Sequence, residues 1–253
     1  MFPKFKKSVL NTIFPIKCLH CHYPGKIICD NCLSTIKLLP LQVCPYCEKA
    51  ITLNGEVCGP CRRQFQPALT RLLVTADYKN KLLARAIHLF KYKFIQDLAN
   101  PLGSLLNKKI NKSDIPTPDY IIPIPLHPRR LRWRGFNQAE LLAINLSKNL
   151  LPGLTIPILG DKRHPLIIRR HYTKPQKDIK NYQQRQANLK NIFQINPTFL
   201  WKEYGLNKKN LINKNILIVD DISTTGSTIF NYAQELKKLN PKSISAIVLG
   251  RQH

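Results

Sequence analysis

Eight cysteines, all before residue 62, form four pairs of the type Cys-x-x-Cys. A two-residue spacer lets both sulfurs of a tight turn face one ion, and two such turns complete a tetrahedral site of four thiolates. The spacing therefore predicts two structural zinc ions. Proximity in the sequence assigns four consecutive cysteines to each ion, but an interleaved pairing stays open. The two predicted sets are Cys18, Cys21, Cys29 and Cys32, and Cys44, Cys47, Cys58 and Cys61.

Other uses of paired cysteines fit this chain less well. Disulfides require an oxidising compartment, redox-active pairs lie in a thioredoxin-like context, and the ferredoxin spacing of iron–sulfur ligands is missing. The basic first 16 residues are interrupted by polar residues and proline, unlike a secretory signal. The longest apolar runs, such as 216–219, hold four residues, against roughly 18 for a membrane span. We expect a cytoplasmic protein without stable membrane insertion.

A second chemical motif lies near the C-terminus. The apolar run 216–219 ends in two adjacent carboxylates, Asp220 and Asp221, and a turn of small hydroxyl residues around Gly226 then opens a helix. Free N–H groups and the dipole at the start of a helix suit a phosphate group, whereas carboxylates suit ribose hydroxyls and a Mg²⁺ shell. The segment therefore predicts a sugar-phosphate site with Mg²⁺. Neither a Walker loop nor a dinucleotide fingerprint is present.

Strands and helices must alternate to bring this motif to the end of a sheet. After residue 66 the hydrophobic pattern does alternate, which predicts a parallel sheet flanked by helices. We divide the chain into a cysteine-rich module over 1–66 and an α/β domain over 67–253. The predicted elements are a helix over 82–90, a strand within 120–125, a helix capped by Asn137, a strand over 216–219, a helix over 228–239 and a strand over 244–249.

The chain is strongly basic, with 40 Lys and Arg against 14 Asp and Glu and a formal net charge of +26. This charge favours polyanionic partners, although compositional drift would also produce it. Arginines interleaved with aromatic rings suit single-stranded nucleic acid, which is bound through its phosphates and stacked bases. In the alternative, Trp133 and Phe136 anchor the next helix while the arginines hold pyrophosphate. The densest patch contains Arg129, Arg130, Arg132, Trp133 and Arg134.

The stretch 216–229 resembles the phosphoribosyl-pyrophosphate-binding motif of type I phosphoribosyltransferases. Most of the chain resembles the ComF family of competence-associated, zinc-ribbon-bearing phosphoribosyltransferase-like proteins. Besides the cysteine pairs, the matching motifs are Ile-Pro-Leu-His at 124–127, Arg-Gly-Phe-Asn-Gln-Ala at 134–139, Thr173-x-x-Gln176, Arg185-x-x-Asn188 and Asp-Asp-Ile-Ser-Thr-Thr-Gly-Ser-Thr at 220–228.

The resemblance implies a type I phosphoribosyltransferase-like α/β fold, a parallel sheet flanked by helices and preceded by a small double zinc ribbon. Asp220 and Asp221 would contact the ribose hydroxyls of phosphoribosyl pyrophosphate, which binds with Mg²⁺, and the segment 169–174 would close over the site. The loop near the pyrophosphate would contain Pro125, Leu126 and His127. The residues that would hold the 5′-phosphate are Thr224, Thr225, Gly226, Ser227 and Thr228.

Two functions follow from these features. The resemblance implies a role in DNA uptake, with single-stranded DNA as a ligand, other competence or recombination proteins as partners, and an accessory sugar-phosphate site. The alternative is an active phosphoribosyltransferase that transfers ribose 5-phosphate from phosphoribosyl pyrophosphate to an unidentified nucleophile. The positive charge and the cysteine module favour the first function, and the intact motif at 220–228 favours the second.

Overall fold

The computed structural model describes residues 16–170, 192–206 and 211–252. Helices alternate with strands through most of the chain. In chain order they are α1 (Asp30–Ser34), β1 (Gln42–Val43), β2 (Ile51–Thr52), α2 (Gly59–Phe65), β3 (Arg71–Val74), α3 (Lys81–Tyr92), α4 (Ala99–Asn111), β4 (Tyr120–Pro123), α5 (Pro128–Arg134), α6 (Gln138–Asn149), β5 (Ile167–Arg169), β6 (Phe193–Ile195), β7 (Asn215–Val219), β8 (Ile222–Ser223), α7 (Ser227–Lys237), β9 (Ser243–Val248) and β10 (Gly250–Arg251). Short 3-10 helices cover Gln96–Leu98 and Trp201–Tyr204.

The central sheet contains four parallel strands in the order β3-β9-β7-β4. Its strands are buried on both faces, which explains apolar runs such as 216–219. Ile216 and Ile218 pack with α7 and the β5–β6 pair on one face. Leu217 and Val219 pack with α3, α4 and α6 on the other face. The predicted parallel sheet flanked by helices is therefore confirmed.

The segments that follow three of these strands meet at one end of the sheet. Strands β4 and β7 pair as far as Pro123 and Val219, and Ile124 continues the ladder by donating its N–H to the Val219 carbonyl at 3.0 Å. Beyond this edge β8 and β10 form a second parallel pair, in which Ser223 lies opposite Arg251. Ligands of α/β proteins bind at such carboxyl ends.

The two cysteine-rich segments repeat one local design. In each segment the third cysteine, Cys29 or Cys58, is the N-cap of a short helix, α1 or α2. The N–H of that cysteine donates to the sulfur of the first cysteine, Cys18 or Cys44, at 3.4 Å in both segments. Each cluster of thiols therefore lies at a helix N-terminus, where backbone N–H groups favour thiolates.

Contacts cross residue 66 and join the second cysteine segment to the sheet. The Gln42 side chain accepts the Val74 N–H at 2.8 Å and donates to the Val74 carbonyl at 3.2 Å, so it occupies the edge of β3. The Gly55 carbonyl accepts the Leu72 N–H at 2.9 Å, and a Cβ atom at Gly55 would lie 2.0 Å from the Leu72 oxygen. The division of the chain at residue 66 stays a prediction.

The sequence-based elements that frame the site are confirmed. The predicted helix over 82–90 is α3, the strand within 120–125 is β4, and the helix after Asn137 is α6. The Asn137 side chain caps α6 by accepting the Ala139 N–H at 3.2 Å. The other predicted strands and helix are β7, β9 and α7, with ends shifted by one or two residues.

Some expectations fall on parts of the chain that are not described. They are the motif residues Thr173, Gln176, Arg185 and Asn188, and residues 171–174 of the predicted closing segment. Among the helices of the described ranges, the longest has 13 residues, and none combines the length and apolar character needed to cross a membrane.

Candidate functional site

Asp220 and Asp221 follow β7 at the carboxyl end of the sheet. Asp221 is buried, and one of its carboxylate oxygens lies 2.9 Å from the Lys91 ammonium. The Asp221 N–H donates to the Asp220 carboxylate at 2.8 Å. Burial, together with the neighbouring Asp221 charge, raises the pKa of Asp220 to about 7, against the opposing effect of Lys91. Two carboxylates held this closely repel each other, so a cation or hydroxyl donors between them would be favourable.

Residues 224–228 form the turn after β8 and the first two residues of α7, and we call them the phosphate loop. Gly226 is the N-cap of α7 with a φ of +75°, a left-handed conformation that glycine adopts without a Cβ clash. The Thr225 and Ser227 hydroxyl oxygens lie 2.7 Å apart. Gly226 has no side chain that could cap α7. The N–H groups in the first turn of this helix are therefore available to hydrogen-bond an anion. The residues predicted to bind phosphate therefore lie together at the start of α7, close to the carboxylates.

Three cations approach the carboxylate pair from three different elements. Lys91 comes from α3, Arg134 from the end of α5 and Arg169 from the end of β5. Burial lowers the pKa of both arginines, that of Arg169 to about 10, whereas the Asp220 charge opposes this shift in both. Three cations beside two carboxylates leave a site that suits a polyanion such as pyrophosphate.

Part of this cation cluster has unsatisfied hydrogen-bonding groups. Arg134 donates through Nη1 to the Gln138 Oε1 at 2.6 Å. The buried Arg134 Nε and Gln138 Nε2 groups lack a hydrogen-bond partner within the described ranges. A buried polar group without a partner costs free energy. These two donors are therefore suited to ligand oxygens.

The predicted pyrophosphate loop, residues 125–127, lies beside the carboxylates because Ile124 is bonded to the end of β7. His127 is the N-cap of α5, and its Nδ1 accepts the Arg129 N–H at 3.2 Å. Burial, followed by the charges of Arg169 and Arg129, lowers the pKa of His127. The surroundings of His127 therefore favour the neutral imidazole, and the positive charge beside this loop comes from the neighbouring arginines.

Each predicted set of four cysteines forms one cluster. The first tetrad contains Cys18, Cys21, Cys29 and Cys32, and the second tetrad contains Cys44, Cys47, Cys58 and Cys61. The four sulfurs of a tetrad lie within 4.8 Å of one another. The Cys21 and Cys29 sulfurs are 3.6 Å apart, and the Cys47 and Cys58 sulfurs 3.8 Å. Bonds of 2.3 Å to a tetrahedral zinc place two sulfurs about 3.8 Å apart. Both tetrads therefore fit a metal ion, and the sequential pairing replaces the interleaved one.

Comparisons with known proteins agree with this arrangement. A family model described as the phosphoribosyl transferase domain matches residues 156–253. Competence protein F of Haemophilus influenzae is 28% identical over 246 residues, which cover 94% of this chain and 98% of the relative. The DNA utilization protein YhgH of Shigella flexneri is 30% identical over 228 residues, or 88% of each chain. The chain belongs to the competence protein F family.

Competence protein ComFC of Bacillus subtilis is a third relative, 26% identical over 235 residues that cover 90% of this chain and 85% of the relative. Membership of the competence protein F family confirms the resemblance based on the sequence motifs. The matched domain contains β7, the phosphate loop and β9. The fold is therefore that of a phosphoribosyltransferase, preceded by two cysteine tetrads.

Three exposed rings lie next to the carboxylates in this competence protein F relative. Tyr92, Phe94 and Trp133 form what we call the aromatic platform. The Trp133 ring centroid lies 6.4 Å from that of Tyr92 and 5.0 Å from that of Phe94. The Arg134 guanidinium lies 5.8 Å from the Tyr92 ring and 5.9 Å from the Trp133 ring. Because the Arg134 guanidinium lies by two rings of the platform and also interacts with the charges of Asp221 and Asp220, the platform borders the carboxylate pair.

The two aromatic residues of the basic patch have different surroundings. Phe136 is buried, and its ring centroid lies 5.6 Å from that of Phe90 in α3. Trp133 is 59% exposed. The alternative in which both rings anchor a helix is therefore correct for Phe136 alone. Arg129 and Arg132 are also exposed, whereas Arg130 and Arg134 are partly buried.

Sequence reasoning missed several residues of this site. Lys91 and Tyr92 end α3 and Phe94 follows this helix, far from the motifs in sequence. An available signal was the alternation of cations and rings directly after the buried Phe90. Sequence reasoning also missed Glu48 and Arg251, because no local sequence pattern indicates that either residue lies near the site.

Proposed function

We propose that the chain acts in competence, where it binds single-stranded DNA beside a site for Mg²⁺ and phosphoribosyl pyrophosphate. The names of the relatives, competence protein F, ComFC and DNA utilization protein, support a role in competence. The observation that supports phosphoribosyl pyrophosphate as a ligand is the carboxylate pair beside the phosphate loop, in a chain that matches the phosphoribosyl transferase domain.

Each part of the site has a role in this proposal. The phosphate loop receives the 5′-phosphate, and Asp220 and Asp221 receive the ribose hydroxyls and Mg²⁺. Lys91, Arg134 and Arg169 face the pyrophosphate, whose charge they offset. The pyrophosphate loop, 125–127, completes that side of the site.

The two tetrads hold structural zinc in this proposal. Four thiolates are the donor set that zinc prefers in closed tetrahedral sites, which stabilise folds and leave no coordination position for a substrate. We also propose the cytoplasm as the location, and residue 66 as the boundary between the zinc module and the phosphoribosyltransferase-like domain.

The aromatic platform is the proposed binding site for DNA bases. Exposed rings next to arginines can stack successive bases while the arginines contact phosphates, which requires unpaired bases. The formal net charge of +26 attracts any nucleic acid, but stacking selects single strands.

The two tryptophans of the chain allow a direct test of stacking. In the Trp201→Phe variant the tryptophan fluorescence comes from Trp133, and we expect saturable quenching by a single-stranded oligonucleotide. In the matched Trp133→Phe variant the remaining Trp201 should not respond. Trp133→Ala should weaken binding roughly 5-fold to 100-fold, the range for losing one stacked base. Equal affinity for duplex and single strands, with no quenching of Trp133, would refute the platform.

The proposed sugar-phosphate ligand has its own test. Replacing both carboxylates, by Asp220→Asn with Asp221→Asn, should abolish Mg²⁺-dependent binding of phosphoribosyl pyrophosphate in calorimetry while the fold is retained. Asp30→Asn, which changes an exposed carboxylate of the first tetrad segment, is the control and should leave binding unchanged. Unchanged affinity in the double variant would remove these carboxylates from the site.

Phosphoribosyl transfer is the second candidate function. The cation cluster around the carboxylates favours it, because charge stabilisation is what an oxocarbenium-like transition state and a pyrophosphate leaving group require. Release of pyrophosphate from phosphoribosyl pyrophosphate, measured with Mg²⁺ and single-stranded DNA present, separates the two functions. Release that Asp220→Asn abolishes would support transfer, and tight binding without release would support the accessory role.

A further inference from the structure

The second tetrad contacts the phosphate loop through a stack of aromatic rings. Tyr46 stands between two ligands of this tetrad, Cys44 and Cys47. Its ring stacks on Phe230 of α7, with centroids 4.4 Å apart and planes 13° apart. A Cβ atom at Gly226 would lie 2.7 Å from the Phe230 ring, so this ring packs directly beneath the phosphate loop. The stack therefore connects the metal-binding turn to the glycine of the loop.

An ion pair between the exposed Glu48 and the buried Arg251 forms the second connection. Glu48 directly follows Cys47, and its carboxylate binds the Arg251 guanidinium. Arg251 is buried, and its Nε donates to the Thr224 carbonyl at 3.1 Å. Residue 224 begins the phosphate loop, and residue 226 is its turn. The second tetrad thus supports the loop at two separate points.

The first tetrad has the same local design without these contacts. His20 occupies the position equivalent to Tyr46, and His22 the position equivalent to Glu48, with left-handed φ values of 61° and 57° for His22 and Glu48. Both histidines are exposed. Among the described residues, Tyr46 and Glu48 connect to the phosphate loop through Phe230 and Arg251, and the two histidines form no ring stack or ion pair with it.

We propose that the second tetrad positions the phosphate loop, so that the metal ion in this tetrad sets the affinity of the loop for a phosphorylated ligand. Tyr46 and Glu48 are the positioning residues. A bound ion fixes the turn 44–47 through its two thiolate ligands, and the ring and the carboxylate are then held against Phe230 and Arg251. Without the ion the turn gains conformational freedom, and both supports of the loop weaken. The nature of the ligand rests on the proposed function.

Hydrogen–deuterium exchange of the full chain without ligand tests the support itself. We expect the amides of residues 222–231 to exchange about threefold faster or more in Tyr46→Ala, because the stack that packs under the loop is lost. Tyr46→Phe keeps the ring and should match the unmodified chain. His20→Ala is the matched control in the first tetrad and should also match it. Metal content, measured in each variant, should stay at the unmodified value in all three.

Phe230→Ala approaches the same stack from the other side and leaves the metal-binding turn unchanged. If the support is real, this variant accelerates exchange as Tyr46→Ala does, and the double variant adds little more. Equal exchange in all variants with the metal retained would overturn the proposal. Loss of metal from Tyr46→Ala, together with unchanged exchange in Phe230→Ala, would overturn it as well.

Calorimetry with Mg²⁺ and phosphoribosyl pyrophosphate then tests the consequence for affinity. We expect about tenfold weaker binding in Tyr46→Ala, the size of one stacked aromatic pair, and unmodified affinity in Tyr46→Phe and His20→Ala. Absence of binding by the unmodified chain would refute the proposed ligand, while the exchange experiment still decides whether the second tetrad supports the loop. Binding that is equal in all variants would refute the positioning role.

Discussion

The two cysteine tetrads share the Cys-x-x-Cys spacing within each pair, their helix caps and their sulfur geometry, yet they contact different parts of the molecule. Cys18 and Cys32 of the first tetrad lie in the large buried cluster beneath α3, α4 and α6, together with Ile28 and Leu33. The second tetrad has a small cluster of its own around Cys44, Val57 and Cys61. Its segment contacts the edge of β3 through Gln42 and Gly55, and the residues Tyr46 and Glu48 connect it to the phosphate loop.

This difference teaches that one metal-binding design can serve two purposes in one chain. The first tetrad completes the core on one face of the sheet, so a metal ion bound there would contribute to the stability of the whole fold. The second tetrad packs beside the phosphate loop, so a metal ion bound there would contribute to the geometry of the proposed site. Changes that affect the two tetrads unequally can therefore test this division.

The largest effect is expected from removing a ligand of the first tetrad. Cys18→Ser should lose about one metal ion per chain and lower the free energy of unfolding by about 3 kcal/mol or more, because Cys18 belongs to the large buried cluster and Cys44 only to the small one. Cys44→Ser should also lose about one ion but destabilise the fold less. Thermal unfolding with metal analysis checks this order, and equal losses of stability would contradict it.

A methyl group at the phosphate loop should affect ligand binding more than stability. Gly226→Ala and Gly25→Ala each place a side chain at positive φ, at a cost of about 1–2 kcal/mol. Only at Gly226 does the new Cβ meet another side chain, the Phe230 ring at 2.7 Å, whereas it meets nothing within 4 Å at Gly25. Phosphoribosyl pyrophosphate binding should therefore weaken at least about tenfold in Gly226→Ala alone. Titration of both variants with phosphoribosyl pyrophosphate measures this difference, and similar affinities would argue against a tightly packed loop.

The ion pairs of the two tetrad segments should contribute unequally to the free energy of unfolding, with the larger contribution from the second segment. Glu48→Gln removes the partner of the buried Arg251 and should cost about 1–2 kcal/mol, reduced from the value for a fully buried pair because Glu48 is partly exposed. Asp30→Asn removes an exposed pair with Lys26 and should leave the unfolding free energy unchanged. Denaturant unfolding provides the measurement. A larger loss in Asp30→Asn would reverse the expected roles.

The smallest effect is expected from two cations of α3, one of which contacts the carboxylate pair and the other the first tetrad segment. Lys91 binds Asp221, and Arg85 donates to the Leu19 carbonyl of the first tetrad segment at 2.8 Å. Lys91→Met should weaken pyrophosphate-containing ligands severalfold because a charge facing the ligand is lost. Arg85→Met should alter stability only slightly and leave ligand affinity unchanged. Ligand titration of both variants compares them, and equal affinities would remove Lys91 from the site.

Local chemistry made much of this molecule predictable from its sequence. The Cys-x-x-Cys spacing predicts both tetrads, and the apolar run before Asp220 predicts a strand that ends in carboxylates. Asn137 predicts a helix start, which the cap confirms. Each of these signals lies within one short stretch of sequence, so propensity and spacing are sufficient.

Contacts between distant segments could not be predicted in the same way. Glu48 and Arg251 are 203 positions apart, and they meet only because β10 pairs with β8 beside the second tetrad. Lys91 reaches Asp221 because α3 crosses the face of the sheet above β7. Such meetings depend on the order of strands and the packing of helices, which no single stretch of sequence contains.

Release of metal to a chelator is the most direct test of the division between the tetrads. Because binding linkage is reciprocal, a ligand on the phosphate loop should strengthen metal binding in the tetrad that supports the loop. We expect Mg²⁺ with phosphoribosyl pyrophosphate to slow the release of one ion per chain, and this slowed phase should be absent in Cys44→Ser and retained in Cys18→Ser. Equal slowing of both ions, or slowing that persists in Cys44→Ser, would contradict the account.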